Sequence, residues 1–390
     1  MNKNRYLSKV IDSNLKTKMV FIGGARQVGK TTLAKEIIAP LFGNSEYYNW
    51  DFAPDRNRLK KLEFPGEPSL LILDEIHKLR GWKRFLKGIY DTQKDRYRFL
   101  VTGSARLNIF RRGGDSLQGR YHYYTLHPFS FSELMNHTPV IEPGQELQFT
   151  GNNSADTLNS LLQFGGFPEP FLSQSRRTLR RWHAEKLERL FREDIRETED
   201  IRDFSNLKLL GDMLPQKAGA PLSVNAIRED LEVSHKAVTN WLNILEQFYY
   251  HFRIYPFAGS KVRSIKKAPK LYLVDWSEIE DEGARFENLI ASHLLKTIDF
   301  LRESEGYKTE LFYLRGTDGK EVNFLITHDG KPWFAVEAKL TETAPSPQLR
   351  YFKERLQTPY TYQVIRKSGV DILRDGIRII SSDKFLGGVG

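Results

Sequence analysis

Residues 24–31 read Gly-Ala-Arg-Gln-Val-Gly-Lys-Thr, the spacing GxxxxGK[ST]. A loop of this kind turns successive backbone N–H groups toward a chain of phosphates, so it needs a strand before it and a helix after it. Both are legible. Met19-Val20-Phe21-Ile22 is a short apolar run of the kind that a parallel strand buried on both faces requires. Residues 31–39 read as a helix that Pro40 ends. The N-terminus of that helix adds partial positive charge where phosphates would sit. The predicted binding set is Gly24, Ala25, Arg26, Gln27, Val28, Gly29, Lys30, Thr31 and Thr32. Lys30 would reach the β- and γ-phosphates of ATP, and Thr31 would place its hydroxyl on Mg²⁺.

A second apolar run, Ser69-Leu70-Leu71-Ile72-Leu73, ends in Asp74-Glu75. It has the pattern of a central parallel strand. Asp74, at the carboxyl end, is the predicted second ligand to Mg²⁺, directly or through water. Glu75 is placed to polarise an attacking water as general base. A third strand over 98–102 ends in Gly103-Ser104, where Ser104 either senses the γ-phosphate or forms a turn. Arg120, after Asp115-Ser116-Leu117-Gln118-Gly119, is the cation chosen to meet charge developing in the transition state. Arg26 and Arg106 compete for that role, and action within the chain or on a neighbouring one is left open.

With 390 residues the chain has room for two to four domains. It contains no cysteine, which excludes disulfides and thiolate metal sites. No apolar run approaches the ~20 residues needed to cross a bilayer, and the N-terminus lacks the apolar core of a signal peptide. The reading is therefore of a cytoplasmic protein without a membrane partner. The net charge of +10 favours a polyanionic partner, most simply DNA, with general solubility as the competing explanation.

Four parts follow from the patterning. Residues 1–135 alternate apolar strands, a further one over 46–51 among them, with helices, as a P-loop ATPase domain with a parallel sheet does. Residues 136–204 form a helical lid or linker that opens with a polar loop over 136–154. Its Arg176, Arg177, Arg180, Arg181, Arg189, Arg192 and Arg196 read mostly as a solvated face balanced by Glu185, Glu188, Glu193 and Glu197. Residues 205–262 suggest a winged helix: a helix over 224–231, a tight turn at Glu232-Val233, and a second helix capped by Ser234. Its exposed side would carry His235, Lys236, Thr239, Asn240 and Asn243, and a basic segment of Lys261, Arg263, Lys266, Lys267 and Lys270 falls where a wing would sit. Such a module either touches DNA or packs on a neighbour.

Residues 263–390 carry an α/β pattern with nuclease grammar. Glu287 lies on an amphipathic helix, strands cover 311–314 and 321–326 around the turn Asp318-Gly319, and Phe334-Ala335-Val336-Glu337-Ala338-Lys339 is a third strand. Strand period puts Glu337 and Lys339 on one face. A metal nuclease needs an acid on the preceding strand and then Glu-x-Lys. Asn323 stands where that acid is expected, and an amide cannot neutralise the ion. Glu321 shares its face as a substitute. Glu287, Asn323, Glu337 and Lys339 thus read as a degenerate nuclease-like set, the alternative for Glu337 and Lys339 being a surface ion pair.

The motifs GGARQVGKTTL, LLILDEIHKL and LVTGSARL, the run SLQGRYHYYTLHPFSFSEL with Pro128, Phe129, Phe131 and Glu133, FGGFPEPF with Gly165, Gly166, Phe167 and Pro168, and FENLIASHLL carry a family resemblance over nearly the whole chain. The chain resembles prokaryotic AAA-like ATPases that end in a domain of unknown function with a restriction-endonuclease-like fold. The resemblance implies an AAA-like or STAND-like core that binds ATP, a winged-helix module and a PD-(D/E)xK-like tail, with roles in DNA transactions or phage defence. The sequence reading is an Mg²⁺-dependent ATPase, a homo-oligomer, whose nucleotide state controls a C-terminal half that binds DNA or a protein partner. Its alternatives are a nucleotide-switched oligomeric scaffold and an ATP-regulated metal-dependent DNA nuclease.

Overall fold

The structure, a computed structural model, describes residues 5–103, 117–150, 153–195, 203–258 and 267–390. Ser104, Arg106, Arg196, Lys261, Arg263 and Lys266 lie outside the described residues. The backbone divides into two units, Met1–His127 and Pro128–Gly390.

In the first unit α1 (Ser8–Leu15) precedes β1 (Met19–Gly23). The helix predicted after the phosphate loop forms with changing pitch. It opens as α2 (Lys30–Thr32), widens to π turns over Leu33–Ile38, and tightens to a 3₁₀ turn over Ala39–Leu41 that contains Pro40. There follow β2 (Ser45–Asn49), α3 (Ala53–Lys60), β3 (Ser69–Asp74), α4 (Trp82–Gln93), β4 (Tyr97–Thr102) and β5 (Tyr121–Thr125). The five strands pair in parallel in the order β2-β3-β4-β1-β5. Every residue of β1 and β3 is buried. A parallel strand covered on both faces has no polar face to show, so these runs read as nearly unbroken apolar stretches. Phe21, Tyr48, Leu71, Leu73 and Phe99 pack with Trp82, Leu86 and Ile89 of α4, the last three set at helical spacing. Parallel pairing brings the carboxyl ends of β1, β3 and β4 to one edge of the sheet, the edge where open α/β sheets bind ligands.

The second unit begins with helices: α5 (Phe131–Leu134), α6 (Ala155–Phe164), α7 (Pro168–Ser173), α8 (Arg176–Arg189), α9 (Phe204–Met213), α10 (Val224–Asp230) and α11 (His235–Gln247). The helix pair predicted over residues 224–247 is present, with the Ser223 and Ser234 hydroxyls accepting from the third residue on. On α11, His235, Lys236 and Asn240 are exposed. Asn243 is instead engaged, accepting from Arg253 Nη2 at 2.8 Å.

Then come β6 (His251–Pro256), β7 (Lys270–Leu273), α12 (Glu282–Ser304), β8 (Thr309–Arg315), β9 (Glu321–His328), β10 (Lys331–Lys339), α13 (Pro347–Leu356), β11 (Tyr360–Ile365), β12 (Asp371–Arg374), β13 (Ile377–Ser381) and α14 (Ser382–Gly387). The eight strands form one mixed sheet in the order β12-β13-β11-β10-β9-β8-β6-β7. β8, β9 and β10 are antiparallel neighbours, and β10 pairs in parallel with β11. The hairpin β6-β7 stands where the wing was expected, but β6 also pairs with β8, so both strands belong to this sheet. On one sheet face Leu314, Leu325, Ala335 and Ile379 pack against Leu349 and Phe352 of α13.

Candidate active site

The phosphate loop leaves β1 through Gly24, whose φ is +140°. A Cβ there would stand 2.4 Å from the Leu126 carbonyl oxygen, so only glycine fits. Gln27 (φ +60°) and Gly29 (φ +100°) give the loop its left-handed turns; alternation of this kind aims backbone N–H groups into one concavity. Lys30 Nζ donates to Gly24 O at 3.0 Å and to Ala25 O at 2.8 Å, so the ammonium lies across the loop. Val28 is buried, whereas Arg26, Gln27, Thr31 and Thr32 face outward.

Asp74 closes β3 and is 8% exposed. Three hydroxyls converge on it. Thr102 Oγ1, at the end of β4, donates to Oδ1 at 2.6 Å; Tyr47 of β2 donates to Oδ2 at 2.6 Å; Thr31 Oγ1 donates to Oδ2 at 3.2 Å. A hydroxyl and a carboxylate this close are hard oxygen donors of the kind Mg²⁺ takes beside phosphate oxygens and water, so Thr31 and Asp74 fit the ion that the sequence reading assigned them.

Glu75 takes a left-handed backbone (φ +57°), fixed by its N–H to Thr102 O at 3.0 Å. Its carboxylate lies 3.3 Å from His77 Nε2 and 4.0 Å from Lys78 Nζ. Burial, and next the Asp74 charge, push its pKa up to about 7, against the pull of Lys30 and Lys78.

The nuclease-like set meets in the second unit in an order different from the one expected. Asn323 and Glu337 tie β9 to β10: the Asn323 N–H donates to Glu337 Oε2 at 3.1 Å, and Asn323 Oδ1 accepts from the Ala338 N–H at 2.8 Å. Lys339 Nζ lies 3.2 Å from Glu337 Oε1. Burial raises the Glu337 pKa, opposed by Lys339. Glu287 accepts from Tyr272 at 2.7 Å and from Lys270 at 3.3 Å, and Lys270 reaches Glu321 Oε1 at 2.6 Å. Lys270 is therefore not a wing cation: its side chain is buried between two carboxylates. Glu321, the substitute for the missing acid, pairs with Lys270. Among the described residues no group of three or more His, Asp or Glu side chains is placed to hold a metal ion. As they stand, these residues do not fit a nuclease metal.

Residues 16–135 match a family described as an AAA domain. The chain carries an AAA-type ATPase domain. Residues 155–277 and 282–384 match two domains of unknown function, DUF8612 and DUF4143. An uncharacterized protein of Methanocaldococcus jannaschii is 24% identical over 384 residues, covering 90% of this chain and 82% of its own length. An uncharacterized protein of Mycobacterium tuberculosis is 21% identical over 345 residues, covering 83% of this chain and 71% of its own. Among solved structures, the chain is similar to the RuvB Holliday junction branch migration motor of Thermotoga maritima, over 63% of this chain and 87% of that one, at 19% identity and a TM-score of 0.33. It is also similar to the Aeropyrum pernix ORC1 protein solved in complex with DNA, over 73% and 90%, at 15% identity and a TM-score of 0.30.

Arg120 stands apart from the nucleotide site of its own AAA domain. Its carbonyl accepts from the Met19 N–H at 3.0 Å, which sets it at the amino end of β1. At about 3.3 Å per residue that is ~15 Å along the strand from the phosphate loop. Its guanidinium also makes two bonds to Asp91, at 2.7 and 3.0 Å. Of the two alternatives left open for Arg120, action within its own chain and action on a neighbouring one, this placement does not favour the first.

Three residues of the first unit escaped the sequence reading. Tyr47 and Thr102 hold Asp74, and Arg5 donates from Nη1 to Val28 O at 3.0 Å, bracing the loop from below. Thr102 left a trace as the polar end of an apolar strand. Tyr47 and Arg5 left none, because their partners are set by strand order and by the chain's first helix.

Proposed function

We propose that this chain is an Mg²⁺-dependent ATP hydrolase whose nucleotide state controls its C-terminal half. The observation that carries the reading is the cluster of Lys30, Thr31 and Asp74, with Thr102 and Tyr47 fixing the carboxylate. In this reading the loop N–H groups and the Lys30 ammonium bind the phosphates, and Thr31 and Asp74 orient the metal. Mg²⁺ held there would supply positive charge to the phosphate oxygens. Glu75 accepts a proton from the attacking water and is kept in place by its backbone bond to Thr102. The C-terminal half would then engage DNA or a protein partner; the net charge of +10 and the exposed His235, Lys236 and Asn240 support DNA. Cleavage of DNA is not part of the proposal, since lysines already hold Glu287, Glu321 and Glu337.

The test is steady-state ATP turnover of the full chain and of Lys30→Ala, with and without duplex or single-stranded DNA at low salt. Turnover that is lost in Lys30→Ala and changed by DNA is expected. Full turnover in Lys30→Ala would overturn the hydrolase reading. A rate indifferent to DNA would leave a nucleotide-switched scaffold.

A further inference from the structure

The second unit contains a half-open cavity of about 530 Å³ whose wall carries Arg176, Arg180, Arg285 and Arg366 against one carboxylate, Glu282. The four arginines come from α8, α12 and the residue after β11, so their meeting on one cavity is a product of the fold rather than of a charge run.

Each arginine is held differently. Arg285 is fixed by backbone carbonyls, donating to Ile279 O and Glu280 O at 2.8 Å each, and forms no ion pair among the described residues. Arg366 pairs with Glu282 and reaches Asn159 Oδ1 at 3.4 Å. Arg176 and Arg180 lie one turn apart on α8, so they share a face, and both are exposed. Neither forms an ion pair among the described residues. Their neighbours do: Arg181 lies 3.6 Å from Glu185, Arg192 lies 2.8 Å from Glu188, and Arg189 pairs with Glu185. Glu185 and Glu188 thus serve the later part of the helix, and among the described residues no acid pairs with the cavity's two arginines.

The start of α8 adds to the imbalance. Its first turn holds Arg176 and Arg177 and no acid. A helix N-terminus carries partial positive charge and ordinarily attracts acidic side chains, so these cations repel it unless an anion joins them.

We propose that this cavity is a phosphate-binding site, with Arg176 and Arg180 contacting the ligand and Arg285 as a fixed cation behind them. Planar guanidiniums with free donors match phosphate oxygens in geometry as well as charge. The phosphates come either from a nucleic-acid backbone or from a free anion of pyrophosphate size. The first source gives the C-terminal half proposed above its ligand and rests on that reading. Neither source depends on hydrolysis at the phosphate loop.

Two measurements test it. Fluorescence anisotropy with a labelled single-stranded oligonucleotide compares the full chain, Arg176→Ala/Arg180→Ala and Arg177→Ala/Arg181→Ala, the last pair removing equal charge from the same helix outside the cavity. The cavity pair is expected to weaken binding about tenfold and to lower the slope of log K against log salt by about 1.4, roughly 0.7 for each phosphate contact on a single strand. The control pair is expected to change affinity by less than about twofold. Calorimetric titration of inorganic pyrophosphate is done on Lys30→Ala, which removes the phosphate loop as a competitor, and on Lys30→Ala/Arg176→Ala/Arg180→Ala. Pyrophosphate lost only in the triple variant, with the oligonucleotide indifferent, assigns the site to a free anion. Equal oligonucleotide losses in both pairs with no pyrophosphate effect, or no binding of either probe, overturns the proposal. Lys30→Ala turnover is read separately, so failure of the hydrolase reading and failure of this site are distinguishable.

Discussion

The phenol of Tyr47 donates to Asp74 Oδ2 at 2.6 Å, reaching the carboxylate proposed to hold Mg²⁺ from a neighbouring strand rather than from the phosphate loop. With Thr102 on the other oxygen at 2.6 Å, it fixes the plane of the carboxylate. The same bond tightens the phenol's hold on its proton: burial first, and Asp74 next, push the Tyr47 pKa up. Tyr47→Phe keeps the ring, and with it the contact to Lys35 Nζ 4.3 Å from the ring centre, but deletes the donor. One net hydrogen bond is worth about 1 kcal/mol, so the Mg²⁺ concentration needed for half-maximal nucleotide binding should rise about fivefold. Nucleotide affinity in EDTA should not move. Equilibrium binding at a series of Mg²⁺ concentrations measures both, and an unchanged Mg²⁺ requirement would reduce Tyr47 to a packing residue.

In the proposed reading Glu75 serves the chemical step and not nucleotide binding. Its N–H is bonded to Thr102 O at 3.0 Å, so Glu75→Gln should keep the backbone and remove only the proton acceptor. General-base catalysis contributes about 10²–10⁴-fold. Single-turnover hydrolysis should fall by that order while nucleotide affinity stays within about threefold. A variant that keeps more than about a tenth of the rate would show that water is activated elsewhere.

The phosphate loop and β3 were legible because their demands are local. A left-handed turn beside a carbonyl requires Gly24, and a strand buried on both faces requires an apolar run. Tyr47 was not legible because its role depends on the order β2-β3-β4, which no single strand encodes. The place of Arg120 was not legible either, because only the pairing of β1 with β5 sets it at the amino end of the sheet. Lys270 misled because a lysine in a charge run looks the same in sequence whether solvated or buried, and its partners, Glu287 on α12 and Glu321 on β9, are distant along the chain.

His293 makes the second unit sensitive to acid. Its Nε2 accepts from the Phe131 N–H at 2.9 Å and its Nδ1 donates to Leu289 O at 2.8 Å, an arrangement open only to the neutral ring. Burial pushes its pKa down to about 3, and that of the buried His251 down to about 4. In an unfolded chain both titrate near 6.5. Between these limits the unfolded state binds more protons, so stability is complete above about pH 6.5 and is lost as pH falls toward the folded values. At pH 5 the loss is about 2 kcal/mol per histidine. Urea unfolding should show a lower midpoint at pH 5 than at pH 7, and His293→Gln should be weaker at pH 7 yet lose less on acidification. An equal loss in the variant would exclude His293 as a source.

Asp275 anchors a buried polar knot in the same unit. It accepts from Trp182 Nε1 at 2.9 Å and from Ser277 Oγ at 2.6 Å, and lies 3.3 Å from Lys186 Nζ. Gly165 passes so close that a Cβ would stand 2.7 Å from Asp275 Oδ1, which accounts for the first glycine of the FGGFPEPF run. Asp275→Ala strands the Trp182 donor and half-uncompensates a buried ammonium, at a cost of about 3 kcal/mol. Thermal unfolding should fall by several degrees; a shift within about one degree would show that Lys186 is satisfied by Glu278 alone.

Asn323 was read as the departure from the nuclease pattern, with Glu321 as its substitute; in the structure Lys270 pairs with both Glu321 and Glu287. An aspartate at position 323 could still accept from the Ala338 N–H, yet it would set a second carboxylate beside Glu337, whose pKa burial already raises. Glu287 and Glu321 would remain held by the Lys270 ammonium, at 3.3 and 2.6 Å. An ion cannot enter while that lysine neutralises both acids. Asn323→Asp alone should therefore bind no Mn²⁺ and nick no plasmid, and like-charge repulsion should lower its stability by about 1 kcal/mol. Asn323→Asp/Lys270→Gln frees Glu287 and Glu321 and should gain Mn²⁺ binding, read as loss of the free-ion signal in electron paramagnetic resonance. Plasmid nicking by Asn323→Asp with Lys270 intact would show that the missing acid, not the buried lysine, keeps the site silent.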